Sequence, residues 1–107
     1  MAIAEISVDE LEEQLTEGAR LVDVRQPYEF DEMRVSGAVL VPLATLPDNV
    51  DAFRGDGPVY VICKTGSRSA RACEFLATQG VEAINVAGGT LAWIEAGNPV
   101  VTGPEPR

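Results

Sequence analysis

A chain of 107 residues is long enough to bury one core and fold alone, so a single domain is expected. Its formal net charge of -9 argues against nucleic acid or an anionic membrane as a partner. It contains no histidine, which excludes the Cys–His pair of thiol proteases and zinc sites built on imidazole. Two cysteines alone make a poor metal site, and no cofactor is expected. No apolar run approaches a membrane span and the N-terminus lacks a signal pattern, so a cytoplasmic location is expected, with both cysteines as thiols.

Ile3 to Ile6 reads as a short strand. Ser7 with Glu10 forms a capping box for a helix carrying Leu11 and Leu15, and Gly18 stops it. Leu21-Val22-Asp23-Val24 predicts a buried strand, and Pro27 suits the first position of a short helix through Tyr28, Glu29 and Phe30. Gly37-Ala38 introduces the run Val39-Leu40-Val41, closed by Pro42. Pro47 and Asp48-Asn49 suggest a short helix ending near Phe53, and Gly55-Asp56-Gly57-Pro58 is a turn.

Val59-Tyr60-Val61-Ile62 is the next strand. A helix from about Ser67 to Thr78 is expected to bury Ala70, Cys73, Leu76 and Ala77 on one face. Ala83 to Val86 is a further strand, Gly88-Gly89 leave it, and Thr90 starts a last short helix through Trp93, stopped by Gly97 and Pro99. Residues 1–100 are expected to form the domain and 101–107 a loose tail. Strands alternating with helices imply an α/β domain centred on a parallel sheet.

The chemistry concentrates in Cys63-Lys64-Thr65-Gly66-Ser67-Arg68-Ser69. The pattern puts a thiol at the carboxyl end of a buried strand, facing the start of a helix, where open α/β sheets place their ligands. Unpaired N–H groups at a helix start favour an anion, and a thiolate is one. Lys64, Arg68 and Arg71 are three of only eight Lys and Arg residues in the chain, and cations lower a thiol's pKa. Cys63 is therefore expected to be reactive. Cys73, on the apolar face of the following helix and about 9 Å up its axis, is expected to be a packed core thiol.

Four signatures follow one another along nearly the whole chain: Asp23-Val24-Arg25; Tyr28-Glu29-Phe30 leading to Gly37-Ala38; Cys63 to Ser69; and Gly88-Gly89 with Trp93 and Gly97-Asn98-Pro99. Together they resemble the rhodanese-like domain in its small single-domain form. The resemblance implies a central parallel β-sheet with helices on both faces and a sulfurtransferase activity. Cys63 would attack the sulfane sulfur of a donor such as thiosulfate, becoming a persulfide, and pass the sulfur to cyanide or a cellular thiol. Backbone amides from Lys64 to Ser69 would cradle the persulfide, Gly66 would let the loop curl, and Lys64 and Arg68 would draw in the anionic donor. Thr65, Ser67 and Ser69 complete the binding loop. Asp23 and Arg25 match a segment beside the loop, expected to be a supporting ion pair, and Trp93 is expected to pack the last helix on the sheet. A sulfur-relay protein is a conceivable partner. Family members often read Gly-His-Ile before the Gly-Ala pair, whereas this chain has Met33-Arg34-Val35-Ser36.

Two other functions fit parts of the pattern. A rhodanese-like module could carry sulfur for a partner or sense redox state, and retention of Cys63 with its full loop does not separate this from an enzyme. Dual-specificity phosphatases, and arsenate chemistry on a related loop, resemble a pattern of cysteine, five residues, then arginine. Here the arginine falls one position early, at Arg68, and Ile62 stands where a histidine often precedes their cysteine.

Overall fold

The structure is a computed structural model that describes residues 3–104. Five strands, β1 (Glu5–Ile6), β2 (Arg20–Asp23), β3 (Val39–Leu40), β4 (Val59–Ile62) and β5 (Ala83–Val86), form one sheet in the order β1-β5-β4-β2-β3. Every pairing is parallel. Four α-helices connect or follow the strands: α1 (Val8–Thr16), α2 (Pro27–Glu32), α3 (Ser67–Thr78) and α4 (Gly89–Glu95).

β4 lies at the centre with all four residues buried, as a strand covered on both faces must be. Its side chains alternate between two cores. Val59 and Val61 join Val22, Val24, Ala72, Cys73 and Leu76 under α3. Tyr60 and Ile62 face Leu11, Leu21, Phe30, Val86 and Trp93, under α1, α2 and α4. The same alternation sends Cys63, one residue beyond the strand, to the α3 side. The chain leaves β2 toward β3 and leaves β4 toward β5, in opposite directions across the sheet. The carboxyl ends of β2 and β4 therefore form a topological switch point, the crevice where such sheets hold ligands.

Local signals explain most boundaries. The Ser7–Glu10 capping box is formed, with Ser7 Oγ accepting from the Glu10 amide at 3.1 Å, and Pro27 opens α2. Three expectations are corrected. The helix expected to end near Phe53 is two 3-10 turns, Leu43–Asp48 and Val50–Phe53, with Pro47 in the first; a proline has no N–H for a continuous α-helical ladder. α3 spans its expected range but buries Ser69, Ala72, Cys73 and Leu76, leaving Ala70 half-buried and Ala77 exposed. The small alanine methyls weigh little in orienting the helix against the larger Cys73 and Leu76.

The start of the tail is the third. Val101 pairs with Arg34 in both directions at 2.9 and 2.8 Å, and the Gly103 amide donates to the Asp31 carbonyl at 2.7 Å. Arg34, in the segment that departs from the family pattern, is almost fully buried over the Phe30 ring. It donates to the Phe30 and Gly103 carbonyls at 2.9 and 2.7 Å. Residues 105–107 of the expected tail lie outside the described residues.

Candidate active site

Cys63 follows the last residue of β4, and the chain then curls back beneath α3. Gly66 makes that curl as the N-cap of α3, with φ of 102°, a left-handed conformation that side chains resist. The curl aims the loop inward. The Gly66 amide donates to Cys63 Sγ at 3.0 Å and the Ser69 hydroxyl lies 3.2 Å from the same sulfur. The thiol is fully buried, yet N–H and O–H groups surround its sulfur. Burial pushes the Cys63 thiol up, but the Ser69 hydroxyl and the amides of Ser69, Gly66 and Thr65 outweigh it and hold its pKa below the ordinary value.

The loop's carbonyls are turned the other way. The amide and hydroxyl of Thr90 donate to the Cys63 carbonyl at 2.9 and 3.0 Å, and the Leu91 amide donates to the Lys64 carbonyl at 3.1 Å. Gly89 permits this approach: a Cβ there would lie 2.5 Å from the Cys63 oxygen and 2.6 Å from that of Lys64. With its carbonyls satisfied by the first turn of α4, the loop is free to present amides to the sulfur.

At the neighbouring strand end, Asp23 and Arg25 form a buried pair, Arg25 Nη2 donating to Asp23 Oδ2 at 2.8 Å and to the Met33 carbonyl at 2.7 Å. The pair ties β2 to the end of α2, and the Val24 amide donates to the Ile62 carbonyl at 3.0 Å. Arg68 is engaged by Glu29, both guanidinium ends donating to the carboxylate at 2.8 and 2.9 Å. Arg68 thereby holds the Glu29 carboxyl down at about 2, against some upward push from burial. The positive charge expected of Arg68 is thus balanced within the protein, whereas Lys64 is exposed and makes no ion pair among the described residues. Lys64 lines a cavity of about 260 Å³ with Arg25, Tyr28, Glu29, Thr90 and Leu91. Thr65 and Ser67 are exposed, Ser69 is buried, and Trp93 packs α4 on the sheet with its indole N–H on the Pro99 carbonyl at 2.8 Å.

Cys73 is buried in the core, where loss of solvent pushes its thiol up to about 12. Both cysteines are free thiols. Among the described residues no group of three or more Cys, Asp or Glu could hold a metal ion, and no helix is long and apolar enough to cross a membrane.

Sequence reasoning missed Glu29, Gly89, Thr90 and Asn85 as parts of this neighbourhood. Asn85 had a signal: it is a polar residue at a position of a buried strand where the alternation places an apolar one. Asn85 is 1% exposed and accepts from the Ser69 hydroxyl at 2.5 Å.

An all-parallel α/β domain with a thiol held by amides at its switch point defines the class of protein. The model of the rhodanese-like domain matches residues 7–96, and the chain belongs to that family. It is 33% identical over 102 residues to a sulfurtransferase of Allochromatium vinosum, covering 92% of this chain and 95% of that one. It is 35% identical over 104 residues to the thiosulfate sulfurtransferase GlpE of Actinobacillus succinogenes, covering 95% and 94%. Among solved structures it is similar to a rhodanese-related protein of Thermoplasma volcanium, with a TM-score of 0.86 and 34% identity over 92% of this chain and 97% of the other.

Proposed function

We propose that this protein is a sulfurtransferase that takes the outer sulfur of a donor such as thiosulfate onto Cys63 and passes it to a thiophilic acceptor. The observation that carries the proposal is the convergence of the Gly66 amide and the Ser69 hydroxyl on a buried sulfur. Such a cradle favours the sulfur as an anion, which is the nucleophilic form. The likeness to curated sulfurtransferases over nearly the full length of both chains supports the same reaction.

In the first half-reaction the Cys63 thiolate attacks the sulfane sulfur, the donor's S–S bond breaks, and sulfite leaves with the electron pair. In the second, cyanide or a thiolate attacks the outer sulfur of the persulfide and Cys63 departs as thiolate. The amides of Thr65, Gly66 and Ser69, directed at the sulfur, are the groups suited to the charge in both steps. Lys64, exposed beside the cavity, supplies the attraction for an anionic donor, while Asp23 and Arg25 brace the strand end. Phosphate chemistry is disfavoured because Arg68 falls one position short of where that pattern places its arginine, and its guanidinium is engaged by Glu29.

Incubation with thiosulfate and cyanide is expected to yield thiocyanate, and mass spectrometry after thiosulfate alone to find one added sulfur on Cys63. Cys63→Ser is expected to abolish both. Turnover that survives in that variant rejects the assignment.

A further inference from the structure

Asn85 lies on β5 in register with Val61, on the side of the sheet that faces α3. Its amide is fixed by two groups that only accept: Nδ2 donates to Glu5 Oε2 at 2.8 Å and to the Gly66 carbonyl at 3.2 Å. A half-turn of the amide would set its oxygen against a carboxylate and a carbonyl, so Oδ1 stays directed at Ser69 Oγ, 2.5 Å away. The same hydroxyl is 3.2 Å from Cys63 Sγ. A hydroxyl carries one hydrogen and cannot serve both acceptors. With Cys63 a thiol, S–H donates to Ser69 and Ser69 donates to Asn85, so every group is satisfied. A thiolate has no hydrogen to give and draws the one on Ser69, leaving the buried Asn85 oxygen without that donor.

We propose that Asn85, locked by Glu5, is a positioning residue that competes with the Cys63 sulfur for the single hydroxyl hydrogen of Ser69, and so sets how readily that sulfur gains and loses negative charge. The consequence for turnover rests on the sulfur-transfer function proposed above; the competition itself does not. In uptake, the electron pair of Sγ forms the bond to the donor's outer sulfur, the donor's S–S bond breaks with its pair on sulfite, and the Ser69 hydrogen returns to Asn85. In discharge, the acceptor's pair attacks the outer sulfur, the Cys63 S–S bond breaks with its pair on Sγ, and the hydroxyl swings to Sγ. No proton changes owner in either step. Asn85 thus keeps the thiolate under-stabilised, favouring attack and slowing release.

The titratable and charged groups around this chain of bonds are Glu5 on β1 and Arg68 and Cys73 on α3, while Asp23 and Arg25 of the neighbouring strand end close on each other. Glu5→Gln therefore changes a charge as well as a hydrogen bond. A Ser69→Ala background separates the two, because it removes the shared hydrogen and leaves the charge.

The test is the pH profile of Cys63 alkylation by iodoacetamide in the intact protein, with and without Ser69→Ala. Asn85→Leu is expected to move the profile to lower pH, with alkylation on its acidic limb roughly three- to tenfold faster. Glu5→Gln, on an exposed position of the edge strand, shifts it in the same direction by less and carries the comparison if Asn85→Leu does not fold. Preloaded persulfide is expected to discharge to cyanide faster in both variants. In Ser69→Ala the Asn85→Leu shift vanishes and the Glu5→Gln shift shrinks to what its charge alone supplies. A wild-type profile in both variants, or shifts undiminished in Ser69→Ala, overturns the proposal. Failure of the wild-type protein to make thiocyanate would instead reject sulfur transfer, and the alkylation profile would still decide the role of Asn85.

Discussion

At the scale of single residues, the Glu29–Arg68 pair shows how one contact can reverse an expectation drawn from charge alone. Arg68 counts among the few cations of an acidic chain, yet its guanidinium is spent on Glu29. The pair joins α2 to the first turn of α3, and so helps fix the loop from outside. Because Glu29 is held near 2 rather than its ordinary 4.5, its contribution to stability is fully present above the ordinary value. It is lost as pH falls from there through the folded value. Glu29→Gln keeps the shape but removes the charge, and is expected to cost about 1 kcal/mol at neutral pH, the upper end for a partly exposed pair. Urea unfolding should show that difference intact at about pH 6 and reduced near pH 3. A difference independent of pH would mean that shape, not charge, holds the two helices together.

At the scale of elements, the β4–loop–α3 unit depends on a helix that follows it in sequence by a whole strand. The first turn of α4 takes the Cys63 and Lys64 carbonyls, and Gly89 is the point of closest approach. Gly89→Ala places a methyl inside the contact distance of two carbonyl oxygens, at φ of 60°. The loop must move away, and its amides move with it. This is expected to cost roughly 1–3 kcal/mol in thermal stability and to shift Cys63 alkylation toward higher pH, since the stabilising donors are displaced. A stability loss with an unchanged alkylation profile would show that the sulfur cradle does not depend on α4. Most elements were legible in the sequence because their causes are local: β-branched runs for β2 and β4, a capping box for α1, glycines after the helices. What was not legible is held across long separations. Glu29 and Arg68 are 39 residues apart, Glu5 and Asn85 are 80, and Arg34 and Gly103 are 69. No spacing rule brings such residues together; only the strand order does. The Cys63 loop, in contrast, is continuous in sequence, which is why its place between β4 and α3 could be anticipated while its supports on α2, β5 and α4 could not.

At the scale of the whole molecule, a net charge of -9 must be reconciled with the anionic sulfur donor proposed above. The body measures 33 × 26 × 24 Å. At about 0.01 M salt the screening length is about 30 Å, so a donor approaching the loop feels the entire chain. At about 0.1 M it is about 10 Å, and only the nearest groups count. Near the loop two pairs cancel, Asp23 with Arg25 and Glu29 with Arg68, while Lys64 and Glu32 both line the cavity without pairing among the described residues. The distant acidic residues are screened first and the local balance last. Raising ionic strength over this range is therefore expected to increase kcat/KM for thiosulfate severalfold, with little effect on a neutral sulfane-sulfur donor. Lys64→Ala, which removes the unpaired local cation, should lower kcat/KM for thiosulfate at every salt concentration and leave the direction of the salt effect unchanged. Steady-state kinetics with both donors across the series decides the matter, because a rate for thiosulfate that falls with added salt would mean that attraction at the loop outweighs repulsion from the rest of the surface.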